Sequence, residues 1–172
     1  FRAAAIHAEG DQRRALRLHA IACLRRDEGD ATQGAAAIYR DMLAEDPADA
    51  EALDGLDAAL QDSGDAGARL AVIQARIAAS QDMETARALR LEHAGLALEV
   101  GDDDAAIGSY GELLQDKDTD VRAVAVMALV EIHERRQEHG PHADNLLRML
   151  ELSEDDAEGL ALSLRSAELL VL

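Results

Sequence analysis

His133-Glu134, Glu138-His139 and His142 form the densest set of potential bases and metal ligands in the chain. A zinc hydrolase helix carries His-Glu-x-x-His, because four residues of helix bring both imidazoles to one face, a turn apart. The residue four beyond His133 is Gln137, so that spacing fails. His139 and His142 flank Gly140-Pro141, which reads as a loop, and solvated loop histidines are the plainer account. Cys23, the one cysteine, follows His19 by a helical turn and precedes Arg25 and Arg26. Nearby cations lower a thiol pKa, but a nucleophile also needs a base and an oxyanion site. Nothing else in the sequence supplies them, and Cys23 reads as a small packing residue. The acidic clusters Asp102-Asp103-Asp104 and Glu154-Asp155-Asp156 stand at predicted helix starts, where carboxylates cap free amides and complement the helix dipole. They lack the spacing of a calcium loop, and there is no phosphate-binding glycine loop or Gly-x-Ser-x-Gly. The sequence therefore predicts no enzyme, no metal and no cofactor.

These residues need elements to carry them, and composition limits the choice. Apolar residues make up 48% of the 172, aromatics only 2%. A core of Ala and Leu suits closely packed helices and suits a sandwich of strands poorly. Only two prolines interrupt the chain. The net charge of −18 excludes free nucleic acid as an expected partner, since phosphate binding needs clustered cations. An anionic membrane is disfavoured for the same reason. The first forty residues hold seven Arg against five acids, so the acidity lies beyond them. It reads as solvated helix faces, or as an acidic wall for a basic partner. One cysteine allows no internal disulfide. No apolar run is long enough to span a membrane and no signal peptide is recognisable, so a cytoplasmic protein is expected. The chain begins at Phe1 inside a helical pattern, which reads as an excerpt of something longer.

Two kinds of break alternate along the chain. Gly-Asp stands at Gly10, Gly29, Gly64 and Gly101, and Gly140-Pro141 extends the series, with intervals of 35, 37 and 39 residues from Gly29 onward. Between them fall Asp46-Pro47, Ser80-Gln81-Asp82, Lys117-Asp118 and Ser153-Glu154. Gly supplies the left-handed residue that ends a helix and Asp caps the next. The segments between are helical in pattern: 1–8, 12–28, 32–45, 49–62, 66–79, 83–100, 104–116, 120–138, 142–152 and 156–171. In 66–79, Leu70, Ile73 and Ile77 make one apolar stripe, with Arg69 and Arg76 beside it. A longer repeat lies above this one. Arg14-Ala-Leu-Arg-Leu18 returns as Arg87-Ala-Leu-Arg-Leu91 and, more weakly, as Leu160-Ala-Leu-Ser-Leu164, each 73 residues on. Such periods mark a solenoid.

Ala35-Ala36-Ala37-Ile38-Tyr39, Met42-Leu43-Ala44-Glu45-Asp46-Pro47 and then Ala50-Glu-Ala-Leu-Asp-Gly-Leu56 resemble the tetratricopeptide repeat (TPR) family. The likeness is to its second helix, its terminal Asp-Pro and the first helix of the next repeat. Gly101-Asp102, Ala105-Ala106-Ile107, Tyr110 and Leu113-Leu114 repeat the pattern in degraded form. Residues 113–132 resemble a HEAT repeat instead, through Asp120-Val121-Arg122, Ala125, Ala128-Leu129 and Ile132. The resemblance implies an all-α, right-handed solenoid of stacked antiparallel helix hairpins, about ten helices in a single array over 1–172. The hairpins would span 12–45, 49–79, 83–116 and 120–152, flanked by 1–8 and by 156–171 as the first helix of another. Asp46-Pro47 would join hairpins and the Gly-Asp breaks would turn within them. Ala22, Ala35, Ala94 and Ala106 would mark close helix approaches.

In the TPR family the first helices line a concave groove that binds a peptide or partner protein. The expected function is therefore a non-catalytic protein-interaction scaffold. The alternative is a structural spacer or regulatory segment of a larger multidomain protein. Groove residues expected from helical phase are His19, Arg26, Asp54, Gln61, Glu92, Glu99 and Arg135. The Lys and Asn with which some of the family clamp carboxylates are absent, since Lys117 and Asn145 are the only residues of their kinds and stand elsewhere. A basic or apolar protein ligand fits the charge better. Apolar terminal helices, as in Ala167-Glu-Leu-Leu-Val-Leu172, also suggest end-to-end self-association.

Overall fold

A computed structural model describes residues 10–24, 31–153 and 156–171. Among the described residues there are nine α-helices and no strand, so the chain is all-α. The helices are α1 (Gly10–Leu24), α2 (Ala31–Glu45), α3 (Ala50–Ser63), α4 (Ala66–Ala79), α5 (Met83–Val100), α6 (Asp103–Leu113), α7 (Thr119–Arg135), α8 (His139–Leu152) and α9 (Asp156–Leu169). The expected helix 1–8 lies outside the described residues. The chain divides within α5 into two compact units, Phe1–Leu89 and Arg90–Leu172.

In the first unit each helix packs on the next, α1 on α2, α2 on α3 and α3 on α4. Apolar residues recurring every three or four positions give each helix one buried face. Ala20 and Ile21 from α1 meet Ile38, Tyr39 and Met42 from α2, and Leu53, Leu56 and Leu60 from α3 close the core. The break at Asp46-Pro47 is built as its residues require. Proline cannot extend α2, and Asp49 caps α3 by accepting a hydrogen bond from the Ala52 amide at 3.1 Å. Arg14 of α1 ties that cap by pairing with Asp49 and with Glu51. Arg17 holds Glu45, the last residue of α2, at 2.8 Å. At the other kind of break, Gly64 takes φ 71° and Asp65 caps α4 at the Ala68 amide.

The second unit packs α6 on α7, α7 on α8 and α8 on α9. Its core is built from Ala94, Ala97, Ala106, Leu113, Val126, Leu129, Ile132 and Leu146. Inside it the His93 imidazole Nδ1 meets the Ser109 hydroxyl at 2.8 Å, which joins α5 to α6. Gly101 repeats the left-handed turn at φ 78°, and Asp102 caps α6 at the Ala105 amide.

Three expectations need correction. Gly140-Pro141 is not a loop. Both residues lie in the first turn of α8, where a proline's missing N–H costs nothing because those amides have no partner inside the helix. The left-handed residue there is Gln137, at φ 57°. His142 is consequently a buried helical residue, 3% exposed, rather than a solvated one. Helix 104–116 stops at Leu113, because Leu114-Gln115-Asp116 turn back on carbonyls of α6. Among the small residues, Ala35, Ala94 and Ala106 are buried, but Ala22 is exposed and Ala20 with Ile21 takes its place in the core.

Candidate protein-binding face

The residues expected to face a partner come from α1, α3, α5 and α7. On α3, Ala50, Asp54, Ala58 and Gln61 follow one another at helical spacing and form the face opposite the core side chains of Leu53, Leu56 and Leu60. Asp54 and Gln61 are both exposed. On α5 the same spacing aligns Thr85, Ala88, Glu92, Gly95 and Glu99, of which Glu92 and Glu99 are exposed. His19 is exposed on α1, with its Nε2 at 3.8 Å from the Cys23 sulfur. Arg135 is exposed on α7 and bonded to Asp103 at 2.6 Å, so its charge is spent within the second unit. Arg26 lies outside the described residues.

Of these side chains, Asp54 borders a cleft. Within the first unit, a cleft of about 200 Å³ opens between α3, the end of α4 and the start of α5. Its floor is apolar, from Ala50, Leu53, Ala79 and Leu89, and Asp54, Arg76 and Thr85 stand on its rim. Sequence phase gave Asp54 alone. It missed Arg76 and Thr85, because they reach the cleft from α4 and from the first turn of α5.

The rim is fixed by ion pairs. Asp57 is buried on α3, at 7% exposure, and receives Arg69 Nε at 2.8 Å and Arg76 Nη1 at 2.6 Å, both from α4. Arg76 also gives its Nε to Asp54 at 2.9 Å. A buried carboxylate is tolerated only when its lone pairs are filled, and two guanidinium groups fill them here. The arginines that flank the α4 stripe in the sequence are therefore the hold of α4 on α3. On the α5 side, Asp82 accepts from the Thr85 hydroxyl at 2.6 Å and from its amide at 2.8 Å, which caps α5. Those two bonds, the hydroxyl first, hold the Asp82 carboxyl below its usual range.

The histidine cluster does no comparable work. His133 Nδ1 meets the Glu138 carboxylate at 2.7 Å, and that bond holds Glu138 below the ordinary carboxylate range. His142 Nε2 is buried without a hydrogen-bond partner. Among the described residues no group of three His, Cys, Asp or Glu side chains is placed to hold a metal ion, and no helix is long and apolar enough to cross a membrane.

No family of known proteins matches the chain, and no curated protein or solved structure does either.

Proposed function

We propose that the chain is a protein-interaction scaffold of TPR-like stacked helices, without catalytic activity, and that its first unit binds a peptide or partner segment along the outward face of α3. The observation that carries this reading is the cleft beside Asp54. It is apolar at its floor and charged at its rim, a shape that suits one anchoring side chain with a polar neighbour. The outward faces on either side are paved with small residues, Ala50 and Ala58 on α3 and Ala88 on α5, which let a backbone approach closely. A net charge of −18 favours a ligand with Lys or Arg beside its apolar anchor.

The test is selection of peptides from a random displayed library against the whole chain and against Ala50→Trp. Ala50 is exposed, so the indole would cover the cleft without entering the core. Enriched peptides should carry an apolar residue next to a basic one. They should bind the Trp variant about tenfold or more weakly. Enrichment of no sequence, or of peptides indifferent to Ala50→Trp, overturns the proposal.

A further inference from the structure

Six arginines stand in the second unit. Four of them hold a carboxylate: Arg90 on Glu112, Arg135 on Asp103, Arg136 on Asp104 and Glu138, and Arg165 on Glu134. Arg122 and Arg148 hold none among the described residues. Arg122, half-buried on α7, donates to the Asp116 and Lys117 carbonyls at 2.8 and 3.2 Å and to the Thr119 hydroxyl at 3.1 Å. Arg148, on α8, donates to Asn145 Oδ1 at 3.1 Å. Asn145 is itself 3% exposed, and its Nδ2 donates to the Pro141 carbonyl at 2.9 Å. Both guanidinium groups are thus held in place by neutral acceptors, which leave their charge unmatched and donors to spare.

The two line one cleft. It measures about 220 Å³ and opens between the turn after α6, the first half of α7 and the last turns of α8. Arg122 and Val126, four residues apart on α7, border it together, as do Arg148, Glu151 and Leu152 on α8. Leu114, from the turn after α6, completes an apolar floor with Val126 and Leu152. Glu151 is exposed and has no ion pair among the described residues, Arg148 one turn earlier being bonded to Asn145. The cleft therefore offers two cations, one anion and an apolar wall. Its volume lies below the roughly 300–1,000 Å³ of sites for drug-sized ligands, so its occupant is small.

We infer that this cleft binds a free aliphatic α-amino acid, with its carboxylate on Arg122 and Arg148, its ammonium on Glu151 and its side chain against Leu114, Val126 and Leu152. A guanidinium matches a carboxylate by paired N–H bonds, and two of them with no acid of their own are matched by a ligand that brings one. Glu151 selects among such ligands. A phosphate group, more negative still, meets that carboxylate with nothing to offset it. The C-terminus of a peptide satisfies the arginines and leaves Glu151 without a cation. A zwitterion answers both charges at once. It is also neutral overall, so a chain of net charge −18 does not repel it. This cleft lies in the other unit from the one beside Asp54, and either proposal stands if the other fails.

The probe is L-leucine, titrated calorimetrically into the full chain. Glycine, which offers the floor no side chain, should bind about tenfold or more weakly. So should N-acetylleucine, which lacks the ammonium, and leucinamide, which lacks the carboxylate. Glu151→Gln and Arg148→Gln change exposed side chains, so circular dichroism should show the helices intact. Glu151→Gln should weaken leucine about tenfold and change N-acetylleucine less than about twofold. Arg148→Gln should weaken both of those and spare leucinamide. Three results would overturn the proposal. One is no binding of leucine up to about 10 mM. Another is leucinamide binding tighter than leucine, which would mean that the net charge alone draws the ligand. The third is a Glu151→Gln variant that loses leucine and N-acetylleucine equally, or neither.

Discussion

Gly55 leaves a space on α3, and the ring of Tyr39 fills it. A methyl group built on Gly55 would lie 2.1 Å from the ring carbon Cζ, far inside van der Waals contact. Glycine within a helix costs about 0.5–1 kcal/mol against alanine, so the position gives up propensity to let α2 and α3 approach. Gly95 on α5 has nothing within 4 Å of the same construction. The two glycines should therefore answer Ala substitution with opposite signs. Gly55→Ala should lower stability by about 1–3 kcal/mol through overpacking, and Gly95→Ala should raise it by about 0.5–1 kcal/mol. Urea unfolding followed at 222 nm would measure both, and a neutral Gly55→Ala would mean that Tyr39 does not sit there. Tyr39 and Gly55 both lie in the stretch that resembles a TPR, but one sequence does not say that they touch. Asp57 shows the same limit. Among so many acids nothing marks it, and only the packing of α4 on α3 buries it between Arg69 and Arg76.

The elements were the most legible level, and one turn shows where legibility stopped. At three helix ends the residue after a left-handed position sends its amide back five residues: Asp65 to Leu60 at 3.0 Å, Asp102 to Ala97 at 2.8 Å and Glu138 to His133 at 3.0 Å. The first two turns carry glycine at the left-handed position, as the Gly-Asp breaks announce. The third carries Gln137, and nothing in its side chain announces φ 57°. Gly140-Pro141, a stronger sequence signal for a break, stands three residues further on, inside the first turn of α8. With Gln137 in its place the left-handed residues fall at 64, 101 and 137, a more even interval than the glycines alone give. A left-handed conformation costs a residue with a Cβ roughly 1–2 kcal/mol. Gln137→Gly should recover about 1 kcal/mol, less the entropy that glycine adds to the unfolded chain. A rise of a few degrees in thermal midpoint is expected; a fall would show that the Gln137 side chain is needed there.

Across the whole molecule, the buried imidazoles among the described residues lie in the second unit. There His93 is 6% exposed and His142 3%. Burial lowers both below the ordinary imidazole value, against the opposing pull of Asp102 and Glu112 on His93 and of Glu134 on His142. Arg165, His133 and His139 add to the lowering at His142. The unfolded chain then binds more protons than the folded one once the pH falls below about 6.5, so the stability held in these neutral imidazoles drains away as the pH drops through that value toward their folded pKa. The first unit has His19, an exposed residue, as its one described histidine. Its depressed groups are carboxylates instead. Glu45 is held down to about 2 by its bonds to Arg17 and then Arg13, and Asp49 is held low by Arg14. Their contribution is intact above the ordinary carboxylate range and is lost only as the pH falls from there toward their folded values. The chain has one described tyrosine in each unit and no tryptophan, which lets the units be followed separately. In Tyr39→Phe the emission of Tyr110 reports the second unit, and in Tyr110→Phe that of Tyr39 reports the first. On acidification the Tyr110 signal should begin to change as the pH falls below about 6.5, ahead of the Tyr39 signal, which should hold until the ordinary carboxylate range near about 4. His142→Leu, which removes the buried nitrogen without a partner, should shift the Tyr110 transition to lower pH and leave that of Tyr39 in place. Coincident transitions, or a Tyr110 transition indifferent to His142→Leu, would show that the buried imidazoles do not set the acid limit of the second unit.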